Sequence, residues 1–143
     1  MTRGAESSRR RAREAAFRVA YQADVARDSY AETWKTRHDV ERLSEDQSRL
    51  VADVVSVLDA QGAEVDAHLA TAVEHWPLER LAATDRSVMR AAIAELMGRP
   101  GTPARVILDE AIDIARLYGS EESGRFVNGV LDRVARALRP GEF

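Results

Sequence analysis

The chain has 143 residues, with 21 basic and 24 acidic side chains and a formal net charge of −3, a composition typical of one ordinary globular domain. It contains no cysteine, so disulfides and thiolate nucleophiles are excluded. The basic N-terminus lacks the apolar segment of a secretory signal, and no apolar run approaches membrane-spanning length. We therefore expect a cytoplasmic protein.

Positive charge is concentrated at the start of the chain. Residues 1–18 hold six arginines and two glutamates, whereas the remaining residues carry a net charge of −7. The densest part is a set of four arginines within five positions: Arg9, Arg10, Arg11 and Arg13. A basic segment on an acidic body indicates a polyanionic partner that is approached from one end.

Helical periodicity dominates the first half of the chain, and no strand alternation is evident. A first helix over about residues 5–26 carries a stripe of alanines that favours close packing against neighbouring helices. A polar stretch through Trp34 follows. Ser44 and Gln47 then form the pattern of a capping box. The apolar positions after it predict one helix ending near Gly62 and a second ending at Pro77.

The second half continues the helical pattern. After a short helical turn, a helix capped by Thr84 is predicted to end at the segment GRPGTP. The next helix begins at Pro103 and stops at Gly119, and its apolar circumference predicts a central position. A last helix spans about residues 123–138 and ends before Pro140. The predicted fold class is all-α, a single bundle of about seven helices.

Several kinds of chemistry are missing from the sequence. There is no glycine-rich phosphate loop and no nucleophile elbow. The three histidines are scattered, and His68 and His75 are separated by about 10 Å of helical rise, which is too far to share a metal ion. We therefore predict no catalytic residue, no metal site and no cofactor, and we do not expect an enzyme.

The first helix raises a question about Tyr21. At 100° per residue, Arg10, Phe17 and Tyr21 lie opposite the alanine stripe. Arginines contact phosphates and an exposed aromatic ring stacks on an unpaired base, which is how proteins recognise single-stranded RNA. Alternatively, a second layer of helices covers this side and buries Tyr21. The helical pattern leaves both interpretations open.

The start of the last helix raises a similar question. Gly129 inside a helix costs about 1 kcal/mol relative to alanine, which suggests a close approach to the backbone. Arg125 and Asn128 lie near the helix N-terminus, where free N–H groups favour anions. Phe126 lies at the edge of the apolar stripe. The alternative to a binding surface is helix packing across Gly129 with Phe126 in the core.

Three segments in this order, RRRAREAAFRVAYQ, TDRSVMRAAIAEL and PARVILDEAIDIARLYGSEESGRFVNGVLDRVA, resemble the signature blocks of the NusB family of bacterial transcription antitermination proteins. The resemblance extends over nearly the whole chain. It implies two packed three-helix bundles with one additional helix. The corresponding organisation is a flexible basic arm over residues 1–8, a NusB-like helical RNA-binding domain over residues 9–138 and a tail over residues 139–143.

The resemblance also implies a function. NusB-like proteins bind the boxA element of nascent ribosomal-RNA leader transcripts together with NusE, a small-subunit ribosomal protein, within an RNA polymerase antitermination complex. The positions that the resemblance implies for RNA binding are Arg9, Arg10, Arg11, Arg13, Tyr21, Glu79, Asp85, Glu122, Arg125, Phe126 and Asn128. Glu79 and Asp85 match acidic positions near the RNA or the partner surface.

Two other functions are consistent with the sequence. The chain could be a protein-interaction module, a homodimer that buries the arginine segment between its copies. It could also be an accessory domain in ribosomal-RNA modification, similar to the NusB-like N-terminal region of ribosomal-RNA cytosine methyltransferases.

Overall fold

The computed structural model describes the backbone of residues 3–143 and the side chains from Ser8 onward. Residues 1 and 2 and the side chains of residues 3–7, which make up most of the expected basic arm, lie outside this part. Within it the chain forms six α-helices, two 3-10 helices and no strand, which confirms the all-α fold class. The α-helices are α1 (Arg3–Ala26), α2 (Tyr30–Glu41), α3 (Glu45–Ala72), α4 (Ala83–Gly98), α5 (Ala104–Tyr118) and α6 (Glu121–Leu138). The 3-10 helices are Leu78–Arg80 and Pro140–Glu142.

The helices form two groups of three. Helices α1, α2 and α3 pack against one another, and so do α4, α5 and α6. Helix α4 joins the groups by packing against α1 and α3 as well. The arrangement agrees with the expected pair of three-helix bundles. None of the helices in residues 3–143 combines the length and apolarity needed to span a bilayer.

The alanine stripe of α1 is buried, as its pattern predicts. Because alanine is small, α1 approaches α3 and α4 closely on this side. The buried positions of the stripe are Ala12, Ala15, Ala16, Val19, Ala20 and Ala23, each at most 2 % exposed.

The polar stretch expected around Trp34 forms helix α2 in the structure. It begins after Ser29, whose hydroxyl accepts a hydrogen bond from the Glu32 amide at 3.0 Å. Its only buried residues are Thr33 and Glu41, so it has no apolar stripe that periodicity could detect. Polar contacts attach it to α1: Arg18 of α1 donates to the Glu41 carboxylate at 2.8 and 3.1 Å, and Arg37 of α2 donates to the Gln22 side-chain oxygen of α1 at 2.7 Å.

Helix α3 joins the two helices predicted before Pro77. The capping box at Ser44 and Gln47 is confirmed, with both reciprocal hydrogen bonds formed. The predicted break at Gly62 is a kink at Gln61, where φ is −127° and ψ is 30°. Helix α3 therefore continues through this point and ends at Ala72.

Helix α4, and not α5, is the central helix. It packs against α1, α3, α5 and α6, and it buries polar residues as well as its apolar positions. Helix α5 is exposed along one side, which includes Arg105 and Leu117. The predicted Thr84 cap is also wrong: α4 begins one residue earlier, and Ala82 precedes it without a side-chain cap.

Acid titration of stability tests how α2 is held. Hydrogen bonds from Arg18 and Arg37 outweigh the effect of burial and keep the pKa of Glu41 below its ordinary value. A carboxylate with a lowered folded-state pKa stabilises the native state above its unfolded pKa, and this contribution is lost as the pH falls through the folded value. We expect the urea midpoint to fall more steeply between about pH 5 and pH 3 in the native chain than in Glu41→Gln. If the urea midpoints of the native chain and of Glu41→Gln fell equally with pH, this stabilising role of Glu41 would be contradicted.

Candidate nucleic-acid interface

The four clustered arginines of α1 have different environments. Arg13 is 5 % exposed, and its guanidinium forms a two-point contact with Glu95 of α4: Nε lies 2.9 Å from Oε1 and Nη2 lies 2.8 Å from Oε2. It cannot reach a phosphate without opening the core. The helix turns this side chain toward α4, so the guanidinium for which the resemblance implies an RNA contact lies in the interface between α1 and α4.

Arg10 points toward α5, where it is half-buried. It donates to Glu110 at 2.7 and 2.8 Å and to Asp113 at 2.8 Å. The hydrogen bond to Glu110, opposed by burial, raises the pKa of Arg10 above its ordinary value. The positive charge of Arg10 is thus balanced locally by two carboxylates, which leaves it less available to an anion.

Arg9 and Arg11 are the most accessible of the four. The guanidinium of Arg9 lies 3.9 Å from Asp46, and its side chain is 38 % exposed. Arg11 is exposed and forms no ion pair with any side chain from Ser8 onward. These two remain candidates for phosphate contact.

Tyr21 is on the surface, with 40 % of its area exposed, so the alternative that places it in the core does not apply. The buried aromatic residue of α1 is Phe17, one turn earlier, at 5 % exposure. The ring of Phe17 lies 6.1 Å from the ring of Tyr21 and 4.8 Å from that of Tyr118 at the end of α5. Phe17 therefore connects Tyr21 to the core.

The first turns of α6 form a second exposed surface. Its members are Glu122, Arg125, Phe126, Asn128 and Gly129, with Phe126 40 % exposed. The alternative of helix packing across Gly129 is wrong, because a Cβ atom there would meet nothing within 4 Å.

The close approach to α6 is at Gly124 instead. A Cβ atom on Gly124 would lie 2.6 Å from Cγ of Arg116 on α5. This glycine allows α5 and α6 to pack, and Gly129 leaves the outer side of α6 open beside Phe126.

A groove of about 350 Å³ lies beside Phe126. Trp76 and Leu81 line it, together with Arg133, which donates to the Ala72 carbonyl at 2.7 Å. Trp76 is 53 % exposed, although the apolar pattern before Pro77 predicts an inward position for it. Proline directly after this residue was the available signal, since it ends the helix before Trp76 can join the buried stripe.

The backbone before Trp76 has an unusual conformation. Glu74 and His75 have φ values of 55° and 64°, in the left-handed region that residues other than glycine rarely adopt. Together they close the C-terminus of α3, where the His75 amide donates to the Ala70 carbonyl at 2.8 Å. This turn directs Trp76 out of the helix and toward the groove.

The two predicted acidic positions lie at different depths. Glu79 is exposed on the first 3-10 helix. Asp85 is only 8 % exposed, in the first turn of α4, and its Oδ1 atom lacks a hydrogen-bond partner among the described residues. The resemblance implies a position near the RNA or the partner surface for Asp85, and the structure places it nearly buried in the first turn of the central helix.

Arg86 links Tyr21's helix to the groove. It donates to Asp24 of α1 at 2.6 Å and to the carbonyls of Leu78 and Leu81 at 2.9 and 2.8 Å. Burial would raise the pKa of Asp24, but Arg86 and Arg90 lower it below the ordinary value. Since the side chain of Leu81 lines the groove with Phe126, the segment 78–86 connects the end of α1 to the surface of α6.

The described side chains contain no cluster of three or more potential metal ligands. The described residues form an all-helical binding protein. Accessible arginines lie in the first half of α1, and exposed aromatic rings lie on α1, at the end of α5 and in the first turns of α6. A family model described as the NusB family matches residues 10–136, and the chain belongs to that family.

Curated relatives support the assignment over most of their length. The chain is 39 % identical to the transcription antitermination protein NusB of Koribacter versatilis, covering 92 % of this chain and 90 % of the relative. It is 44 % identical to the protein of the same name from Sorangium cellulosum, with 88 % and 90 % covered. The chain is accordingly an antitermination factor by family and not an enzyme.

Solved structures have the same fold. The structure of T. maritima NusB is 34 % identical, covers 90 % of both chains and superposes with a TM-score of 0.82. A second structure, described as the antitermination factors NusB and NusE in complex with dsRNA, is 25 % identical. It covers 96 % of this chain and 99 % of that chain, with a TM-score of 0.81.

The buried contact of Arg13 leads to a stability prediction. Arg13→Met leaves the Glu95 carboxylate buried without its partner and is expected to cost about 3–5 kcal/mol in unfolding free energy measured with urea. The double variant Arg13→Met/Glu95→Leu removes both charges and should recover most of that loss. Arg11→Met on the exposed side of α1 is the control, with an expected change within about 0.5 kcal/mol. If Arg13→Met and Arg11→Met changed the unfolding free energy equally, the buried ion pair between Arg13 and Glu95 would be contradicted.

The two glycines of α6 provide a matched pair of substitutions. Gly129→Ala adds a methyl group in open space and should raise the unfolding free energy by about 0.5–1 kcal/mol, the difference in helix propensity. Gly124→Ala places its methyl group against Arg116 and should gain less or lose stability. Thermal and urea unfolding of both variants measure the difference, and equal gains would argue against close packing at Gly124.

Proposed function

We propose that this protein binds the boxA element of nascent ribosomal-RNA leader transcripts together with NusE and promotes processive transcription of ribosomal RNA. Family membership supports the role in antitermination. The similarity to a NusB structure solved with NusE and dsRNA supports the two partners. In this proposal the complex acts on RNA polymerase in the cytoplasm, where the nascent transcript is made.

The observation that carries the proposal is that exposed aromatic rings and accessible arginines occur together on α1 and again in the first turns of α6. Tyr21 and Phe126 are each 40 % exposed. Asp24, on the same helix as Tyr21, pairs with Arg86, and Leu81 lines the groove beside Phe126. An exposed ring stacks on an unpaired base, while arginines attract the phosphates. Arg9 and Arg11 supply the cations on α1, and Arg125 supplies one beside Phe126.

The other predicted positions have more limited roles in this proposal. Glu122 and Asn128 are exposed near Phe126, where their side chains can accept or donate hydrogen bonds to base edges. Glu79 lies on the exposed 3-10 helix. In this proposal Arg10 holds α1 against α5 and adds its positive charge to the electrostatic field that attracts the RNA. Arg13 contributes only to folding.

A binding experiment with a single arginine variant tests the phosphate contact. We expect Arg11→Ala to weaken boxA-like and scrambled RNAs by the same factor and to reduce the slope of log K against log salt by about 0.7, the value for one phosphate of a single strand. Fluorescence anisotropy at several salt concentrations measures both quantities. Arg49→Ala, an exposed arginine on α3, is the matched control and should leave the slope unchanged.

In this proposal the sequence preference depends on the aromatic side chains, and it is measured with and without NusE. Phe126→Leu should lose more affinity for boxA-like RNA than for the scrambled RNA, with and without NusE. Equal binding of both RNAs by the native chain would reduce the function to a nonspecific basic surface. Sedimentation in the same buffers tests the homodimer alternative, because a stable dimer that does not bind RNA would contradict the proposal.

A further inference from the structure

We propose that Tyr118 is a second base-stacking residue and that Tyr21 and Tyr118 together accept two successive unpaired bases of the bound RNA. The inference rests on the proposed RNA-binding function and assigns to it a residue at the end of α5 that the family resemblance does not supply.

The two tyrosines share a support. Phe17 is 5 % exposed, and its ring contacts Tyr118 at a centroid distance of 4.8 Å and Tyr21 at 6.1 Å. Both tyrosines are 40 % exposed. The buried ring of Phe17 therefore supports both tyrosines, each of which keeps 40 % of its area open to solvent. We call this pair, Tyr21 and Tyr118, the tyrosine platform.

The orientation of Tyr118 is set at its hydroxyl. Nη1 of Arg18 donates to the Tyr118 hydroxyl at 2.9 Å. Arg18 is itself fixed by Glu41 of α2, with Nη2 2.8 Å from Oε1 and Nε 3.1 Å from Oε2. Its guanidinium thus connects α1, α2 and α5, so the Tyr118 ring is held at two places before any ligand arrives. A ring with fixed orientation loses less conformational entropy on stacking.

The position of the platform suits an RNA strand. Arg11 precedes Tyr21 by ten residues, about 15 Å along α1, so a phosphate contact and a stacking contact lie on the same helix. On the other side, α6 begins only three residues after Tyr118 and carries Glu122 and Phe126 on its exposed surface. The platform therefore lies between the arginines of α1 and the aromatic surface of α6.

The first test compares four variants by fluorescence anisotropy with a boxA-like single-stranded RNA. Tyr118→Leu and Tyr21→Leu should each weaken binding by roughly 5- to 100-fold, the range found when a stacking side chain is removed. Tyr118→Phe keeps the ring and should change Kd by less than about threefold, because only the hydrogen bond to Arg18 is lost. Phe143→Leu is the control and should bind as the native chain does. Phe143 is 43 % exposed, and it contacts Arg105 and Arg136 at the opposite end of α5.

The second test separates stacking from a structural effect of Tyr118. RNAs with one abasic nucleotide at each position are bound to the native chain, to Tyr21→Leu and to Tyr118→Leu. We expect two adjacent abasic positions to weaken the native chain, and each tyrosine variant to become insensitive at one of the two, since a stack already lost cannot be lost again. The native-chain scan and Tyr118→Phe keep the test valid if Tyr118→Leu is unstable in thermal unfolding.

Two results would overturn the inference. If Tyr118→Leu binds as the native chain does while Tyr21→Leu is weakened, Tyr118 only supports the fold and the proposed function stands. If Tyr118→Leu is weakened by the same factor at every abasic position, its effect is indirect and stacking is excluded. Failure of the native chain to bind any RNA, with or without NusE, would instead overturn the proposed function itself.

Discussion

The ion pair between Arg13 and Glu95 is the interaction on which the rest of the structure depends. It joins α1 of the first bundle to α4 of the second, with both side chains at most 5 % exposed. Further along, Asp24 of α1 pairs with Arg86 of α4. These two contacts at opposite ends fix the direction and register of the helices, because removing one partner would leave a buried charge uncompensated. The close approach that makes both possible comes from the alanine stripe of α1.

Fixing α1 in this way also decides which of its arginines face outward. Arg13 is used in the core, and Arg10 is balanced by Glu110 and Asp113 of α5. The cluster that stands out in the sequence therefore provides two accessible cations, Arg9 and Arg11, in the described part of the chain. The same α1–α5 contact places Phe17 against Tyr118 and leaves Tyr21 exposed. The packing of α1 against α5 thus stabilises the fold and also forms part of the candidate binding surface.

The aromatic surface on the other side depends on how α3 ends. Two consecutive left-handed residues and a proline stop this helix and direct Trp76 toward Phe126. Conformations of this kind cost on the order of 1 kcal/mol each and persist only when the surrounding structure supports them. Arg133 provides part of that support, because it donates to the Ala72 carbonyl at the last turn of α3. The groove is thus formed by backbone conformation as much as by the side chains that line it.

Local sequence signals predicted much of this protein. The capping box at Ser44, the stop at Gly119, the buried alanine stripe and the all-α class follow from hydrogen-bonding patterns and helical periodicity within a few residues. The motif resemblance identified the family because it depends only on which residues occur and in which order. These features need no knowledge of which helices touch.

Tertiary structure alone decided the features that depend on a partner helix. Helix α2 lacks an apolar stripe and is held by Glu41, so periodicity could not find it. The sequence could not distinguish Arg13 from Arg11, because Glu95 lies 82 residues away. Tyr118 is a candidate for base stacking only because α5 packs beside α1, which the sequence does not show. A helical wheel shows which residues share a side, whereas burial and charge pairing depend on what packs against that side.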